Sequence, residues 1–265
     1  MHQYDEALAD LNWAIEFNPA DVEALTRRGQ AYRGMQRYDE ALADLNRAVD
    51  LSPGDAYALT VRGETYQLMQ RYDEALADLN RAVDLSPGDA YALTVRGEAY
   101  RLMKRYDLAL ADFNRAIALD PGDAGAIASR AQAYLAMRRY AGTLADLSRL
   151  IELDPDQTWA IGWRAHTYWQ LKRYDEALAD FSRLIELDPS HVWALAGRGN
   201  AYRLLKRYDE ALADLNRAIE LDPGSSYAIT GRGNTYWRMR RYGKALADLR
   251  LALRTPPQPR AWPED

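Results

Sequence analysis

The segment 37–64, RYDEALADLNRAVDLSPGDAYALTVRGE, returns unchanged as residues 71–98. At its centre, Leu51-Ser52-Pro53-Gly54-Asp55 is a breaker. Proline and glycine end a helix there, and the aspartate supplies an N-cap for the next one. Before the breaker, Tyr38, Ala41, Leu42, Leu45, Ala48 and Val49 recur at spacings of three and four; after it, Leu59, Gly63, Tyr66 and Met69 do the same. That spacing belongs to an amphipathic helix rather than a strand. The segment is therefore a second helix, a turn and a first helix, duplicated 34 residues further on.

Outward from this segment the period of 34 covers the chain: Pro19, Pro53, Pro87, Pro121, Pro155, Pro189, Pro223 and Pro257 keep it. Two tyrosine rows and all six methionines keep it too. With Val22 as position 1, seven full units follow: 22–55, 56–89, 90–123, 124–157, 158–191, 192–225 and 226–259. Residues 1–21 form a half-unit, a lone second helix and its turn, and 260–265 a short tail. Between the two helices of each unit lies a short polar stretch such as Met35-Gln36-Arg37.

The unit resembles the tetratricopeptide repeat, whose pattern places a large residue, Leu, Gly, Tyr, Ala, an aromatic, Ala and Pro at fixed positions. In 192–225 the matching residues are Leu195, Gly199, Tyr202, Ala211, Leu215, Ala218 and Pro223. The resemblance implies an all-α fold, a right-handed superhelical α-solenoid of helix-turn-helix repeats. It also implies a non-catalytic scaffold that holds a protein or peptide in a concave groove. Gly199 and Ala211 are expected where two helices approach too closely for larger side chains.

One departure from the family pattern is systematic. Position 7, often Leu in such repeats, is Arg throughout (Arg28, Arg62, Arg96, Arg130, Arg164, Arg198, Arg232), and position 23 is always Asp. An Arg–Asp bridge inside each unit is expected, as similar repeats form. A phosphate-binding arginine ladder is disfavoured because each Arg has its own acid.

The first helix has a second face, formed by positions 2, 5, 6, 9, 12 and 13, which a helical wheel sets opposite the core. In proteins of the resembled family this face lines the groove. Position 2 supplies Tyr57, Tyr91, Trp159, Trp193 and Tyr227; position 6 adds Trp163, and position 12 adds Trp169, Arg203 and Trp237. Position 9 adds His166, Asn200 and Asn234, amide side chains of the last two being suited to pairing with a peptide backbone. Five of seven tryptophans fall on this face, all after residue 157, which places the peptide site mainly in 158–237. The position-2 aromatics alternatively fill gaps between adjacent first helices. Position 5 holds no lysine, so the carboxylate clamp of some chaperone-binding relatives is absent.

Neither end is expected to carry a polar capping helix, Arg250 and Arg254 being partial substitutes at the C-terminal one. Self-association through the terminal repeats is the second functional expectation, and an adaptor or sensor fragment of a larger bacterial protein is a third. The unit 124–157 departs most from the others and is expected to be the softest.

Other chemistry is disfavoured. The chain has no cysteine, and His2, His166 and His191 have no metal-site spacing. No catalytic residue, cofactor site or metal site is expected. A net charge of −5 disfavours a nucleic-acid partner. No apolar run approaches a membrane span, and a cytoplasmic location is the default.

Overall fold

Every helical stretch read above can bury one stripe only against another helix, so the chain must fold as packed hairpins. The computed structural model describes residues 2–254, with side chains described from residue 7. The expectations for Met1 and for 255–265, which include the last residues of the unit 226–259, lie outside them. Among the described residues the chain is all α, with fifteen helices and no strand. None of these helices is long and apolar enough to cross a membrane.

Two compact units divide the chain between Arg139 and Tyr140, inside the divergent repeat 124–157. Unit 1 holds α1 (His2–Phe17), α2 (Val22–Gly34), α3 (Tyr38–Leu51), α4 (Ala56–Leu68), α5 (Tyr72–Leu85), α6 (Ala90–Leu102), α7 (Tyr106–Leu119) and α8 (Ala124–Ala136). Unit 2 holds α9 (Tyr140–Leu153), α10 (Thr158–Gln170), α11 (Tyr174–Leu187), α12 (Val192–Leu204), α13 (Tyr208–Leu221), α14 (Ser226–Arg238) and α15 (Tyr242–Ala252).

The first helices α2, α4, α6 and α8 start on capping aspartates: Asp21, Asp55, Asp89 and Asp123 each accept a backbone N–H of the first turn. Ser225 does the same for α14, while Gln157 and His191 before α10 and α12 make no such bond. The turn inside each hairpin has one left-handed residue: Gln36, Gln70, Lys104, Arg138, Lys172, Lys206 and Arg240 lie at φ 56–63°. Behind Gln70, the Arg71 N–H reaches the Tyr66 carbonyl at 2.9 Å, closing the helix end.

Leu25, Leu59 and Leu93 of the first helices and Ala48, Ala82 and Ala116 of the second ones form a continuous core in unit 1. Core clusters of unit 2 form around Ile161, Phe181 and Leu184 and around Leu195, Leu215 and Ala228. Each fully buried leucine contributes about 2 kcal/mol of apolar transfer free energy. Close approach is built in: a Cβ on Gly63 would sit 2.7 Å from Leu79 Cγ, and one on Gly199 2.8 Å from Leu215 Cγ. Where position 8 is Ala165, the facing Phe181 ring also meets Gly197 of the next hairpin, 2.6 Å from where a Cβ would stand.

Arginines at position 7 bridge their hairpins. Arg28, Arg62, Arg96, Arg164, Arg198 and Arg232 donate from Nε and Nη2 to both carboxylate oxygens of the aspartate sixteen residues ahead, at 2.7–2.9 Å. The remaining Nη1 reaches an Asn or Ser sixteen residues behind, such as Asn46 for Arg62 and Ser182 for Arg198. Each guanidinium thus ties three helices together. The hydrogen bonds to aspartate hold these arginines above the ordinary guanidinium range, against the opposing cost of burial.

Candidate functional site

The second face of several first helices is partly closed by the next first helix, because α2 and α4, α4 and α6, and α12 and α14 pack on one another. This corrects the expectation of a face free of the core: Thr60, Val61, Val95, Ala196 and Gly197 on it are buried. A helical wheel for one helix cannot show what the neighbouring helix covers.

In unit 1, Tyr57 of α4 and Tyr91 of α6 remain exposed, with ring centroids 6.5 Å apart. Their hydroxyls reach back 27 residues to position 9 of the preceding hairpin. Tyr57 bonds Gln30 at 3.1 Å and Tyr91 bonds Glu64. They therefore do both things expected of position 2, bridging adjacent first helices while presenting a ring face. Burial pushes the Tyr91 phenol up, and Arg33 opposes the shift. Position 12 is neutralised here: Arg33 pairs with Glu64, and Arg101 with Glu98 at 2.6 Å. The carboxylates of Glu64 and Glu98 are neutralised by the same pairs.

Unit 2 is built differently. Trp159 at the start of α10, Tyr227 on α14 and Trp237 at the end of α14 are exposed, Trp237 the most at 59%. Trp163 is half-buried on α10. Trp169 and Trp193 are half-buried as well and pack on the Ile161–Phe181–Leu184 cluster, Trp193 edge-on to Phe181 at 5.0 Å. His166 stacks on Trp169 with 6.5 Å between ring centroids and 13° between planes, and its Nε2 lies 2.6 Å from Gln170 Nε2. Burial pushes the His166 imidazole down, favouring the neutral ring.

Asn200 is 4% exposed, contrary to the open backbone-pairing amide expected of it. Its Nδ2 donates to the Ala196 carbonyl at 3.0 Å, its Oδ1 accepts from Arg203 Nε at 3.3 Å, and it engages the Tyr227 hydroxyl. It packs over Gly231, where a Cβ would stand 2.8 Å from either amide atom. Asn200 thus supports Tyr227 and Arg203. Asn234 is half-buried on α14, and the Trp237 ring meets Tyr242 at 5.0 Å.

The link between position 2 and the preceding position 9 was missed from sequence. Its signal was present: Tyr57, Tyr91 and Tyr227 each follow a hydrogen-bonding side chain by 27 residues. Among the described residues no cluster of three or more His, Cys, Asp or Glu could hold a metal ion.

Models of the tetratricopeptide repeat match residues 21–87, 61–124, 164–226 and 227–259. No curated protein matches the chain. Among solved structures, the C-terminal part of a TPR repeat-containing protein of Cytophaga hutchinsonii is 19% identical at a TM-score of 0.69, over 86% of this chain and 94% of that one. Pseudomonas aeruginosa pilF is 17% identical at 0.65, over 90% and 99%. A tetratricopeptide repeat protein of Parabacteroides merdae is 20% identical at 0.60, over 89% and 94%. At such identities the likeness is one of fold.

Proposed function

Because this chain belongs to the tetratricopeptide-repeat family, whose fold is a general protein-interaction scaffold, we propose that it is a cytoplasmic, non-catalytic module that binds an extended peptide segment. The peptide lies along the first-helix face of unit 2, chiefly over 158–237. One observation carries this reading: Trp159, Tyr227 and Trp237 stay exposed on this face, where large rings are not needed to fill the buried core. Aromatic rings give large contact area for few frozen torsions and dominate binding energy in protein interfaces. The half-buried Trp163, Trp169 and Trp193 form the floor. In unit 1 the equivalent face is tied up in Arg–Glu and Tyr–Glu contacts, which leaves less to offer a partner.

A peptide-display selection against the whole chain tests this, counter-screened with Trp159→Ala/Trp163→Ala/Trp193→Ala shown by circular dichroism to stay helical. Peptides that bind the chain and not the variant support the site. Equal binding to both removes it.

A second reading rests on Trp13 and Phe17 of α1, stacked at 5.9 Å and 70% and 83% exposed. Such a pair suits contact with a second copy or with a further repeat of a longer array. Concentration-dependent mass in sedimentation, abolished by Trp13→Ala/Phe17→Ala, is its expected result. A monomer across the whole concentration range contradicts it.

A further inference from the structure

Three arginines occupy the same position near the end of a first helix: Arg33 of α2, Arg101 of α6 and Arg203 of α12. Two are neutralised within unit 1, Arg33 by Glu64 and Arg101 by Glu98 three residues before it. At the place of Glu98, α12 carries Asn200. Arg203 therefore meets an uncharged acceptor, at 3.3 Å, and through Nε alone. Of the five N–H donors of a guanidinium, the two terminal nitrogens make no hydrogen bond to any described residue, and no described carboxylate lies within ion-pair distance.

The surroundings of Arg203 add no negative charge. The groups bearing on it are Tyr227, Arg238, Tyr174 and Tyr208, three phenols and a second cation. Burial pushes the guanidinium down from its ordinary range, Tyr227 works the other way, and Arg238 adds to the fall. A half-buried cation without its anion is an unfavourable arrangement by itself. The same position in unit 1 shows how this fold satisfies it, with a carboxylate on Nη1 of Arg33 and on Nε and Nη2 of Arg101.

The aromatic residues say where that carboxylate comes from. Trp159 and Trp193 lie at the starts of α10 and α12, and Tyr227 and Trp237 at the two ends of α14, so the ring surface extends over the hairpins on either side of Arg203. A ligand that used only a chain terminus at Arg203 would leave one side uncovered. We propose that Arg203 receives the carboxylate of an internal aspartate or glutamate side chain from an extended peptide, whose flanking apolar residues rest on the rings of α10 and α14. Asn200 is a positioning residue here, since it holds the guanidinium by Nε and leaves both terminal nitrogens for a paired contact. This inference rests on the peptide-binding reading above and specifies which peptides unit 2 takes.

The test uses a random peptide-display library on the whole chain. Binders that depend on Trp159, Trp163 and Trp193 are aligned and one is synthesised with its acidic residue, with glutamine in its place, and with an amidated C-terminus. One internal position enriched in Asp or Glu is expected. Replacing that residue by glutamine weakens binding about tenfold, and so does Arg203→Gln, but the two losses do not add. Amidation changes nothing, and Arg33→Gln, a fold control at a neutralised position, leaves affinity as it was. The proposal is overturned if tryptophan-dependent binders show no acidic position, or if Arg203→Gln weakens the glutamine peptide as much as the acidic one. Loss on amidation alone overturns it in favour of a chain-end carboxylate. Those results leave the peptide site standing, whereas a library without tryptophan-dependent binders removes both.

Discussion

Arg62 grips Asp78 through two parallel hydrogen bonds of 2.7 Å, from Nε to Oδ2 and from Nη2 to Oδ1. Both side chains are largely buried between α4 and α5. Asp78→Ala leaves the part-buried guanidinium hydrogen-bonded, among the described residues, to Asn46 alone, with Asp50 acting on it only through space. The expected cost is about 3 kcal/mol, because an uncompensated buried charge is worse than no pair. Urea denaturation reads it, and Arg62→Met/Asp78→Leu should recover much of the loss. Equal losses in the single and double variants would contradict the bridge as the cause.

Glycine at position 8 is a packing requirement. Gly63→Ala places a Cβ 2.7 Å from Leu79 Cγ and 3.2 Å from the Ala75 carbonyl. Overpacking of about 1–3 kcal/mol outweighs the roughly 1 kcal/mol that alanine contributes in a helix, so a net loss is expected. Gly54→Ala, with nothing within 4 Å, is the matched control and should be neutral. Calorimetry of the two variants compares them directly.

The hairpin turn is improvable. Gln70 sits at φ 60°, exposed, where a side chain strains the left-handed backbone. Gln70→Gly should raise stability by about 1 kcal/mol. An unchanged or lower denaturation midpoint would contradict the account of the turn.

His166 predicts a pH dependence for unit 2. Burial lowers its folded pKa, so as pH falls the unfolded chain takes up the proton first. The stability tied to this site is present above about pH 6.5 and is lost as pH drops through the folded value. Titration of the imidazole by NMR should give a midpoint below that of a free histidine, and His166→Gln should flatten the stability curve across that interval. A midpoint at or above the ordinary value contradicts the burial.

The hairpins were legible because the 34-residue period repeats the same apolar stripes and breakers. The Arg–Asp bridge was legible as well, since its two positions never vary along the chain. What escaped reading depends on side chains meeting between helices. Gln70 carries no glycine to mark its left-handed backbone. Asn200 looked open on its own helix and is covered by the neighbouring one at Gly231. Phe181 packs against Gly197 of the next hairpin, a contact between hairpins that no single repeat displays. For the candidate site, the aromatic side chains were visible in sequence, while the neutralisation of Arg33 and Arg101 and the bare terminal nitrogens of Arg203 were not.

The most direct test of peptide binding on unit 2 is fluorine NMR of the 5-fluorotryptophan-labelled chain, each resonance assigned by single Trp→Phe replacement, during titration with a selected peptide. The resonances of Trp159, Trp193 and Trp237 should move together and saturate, while that of Trp13 on α1 stays in place. Movement of Trp13 with no change at the three others would contradict the account and point to α1 as the interaction surface.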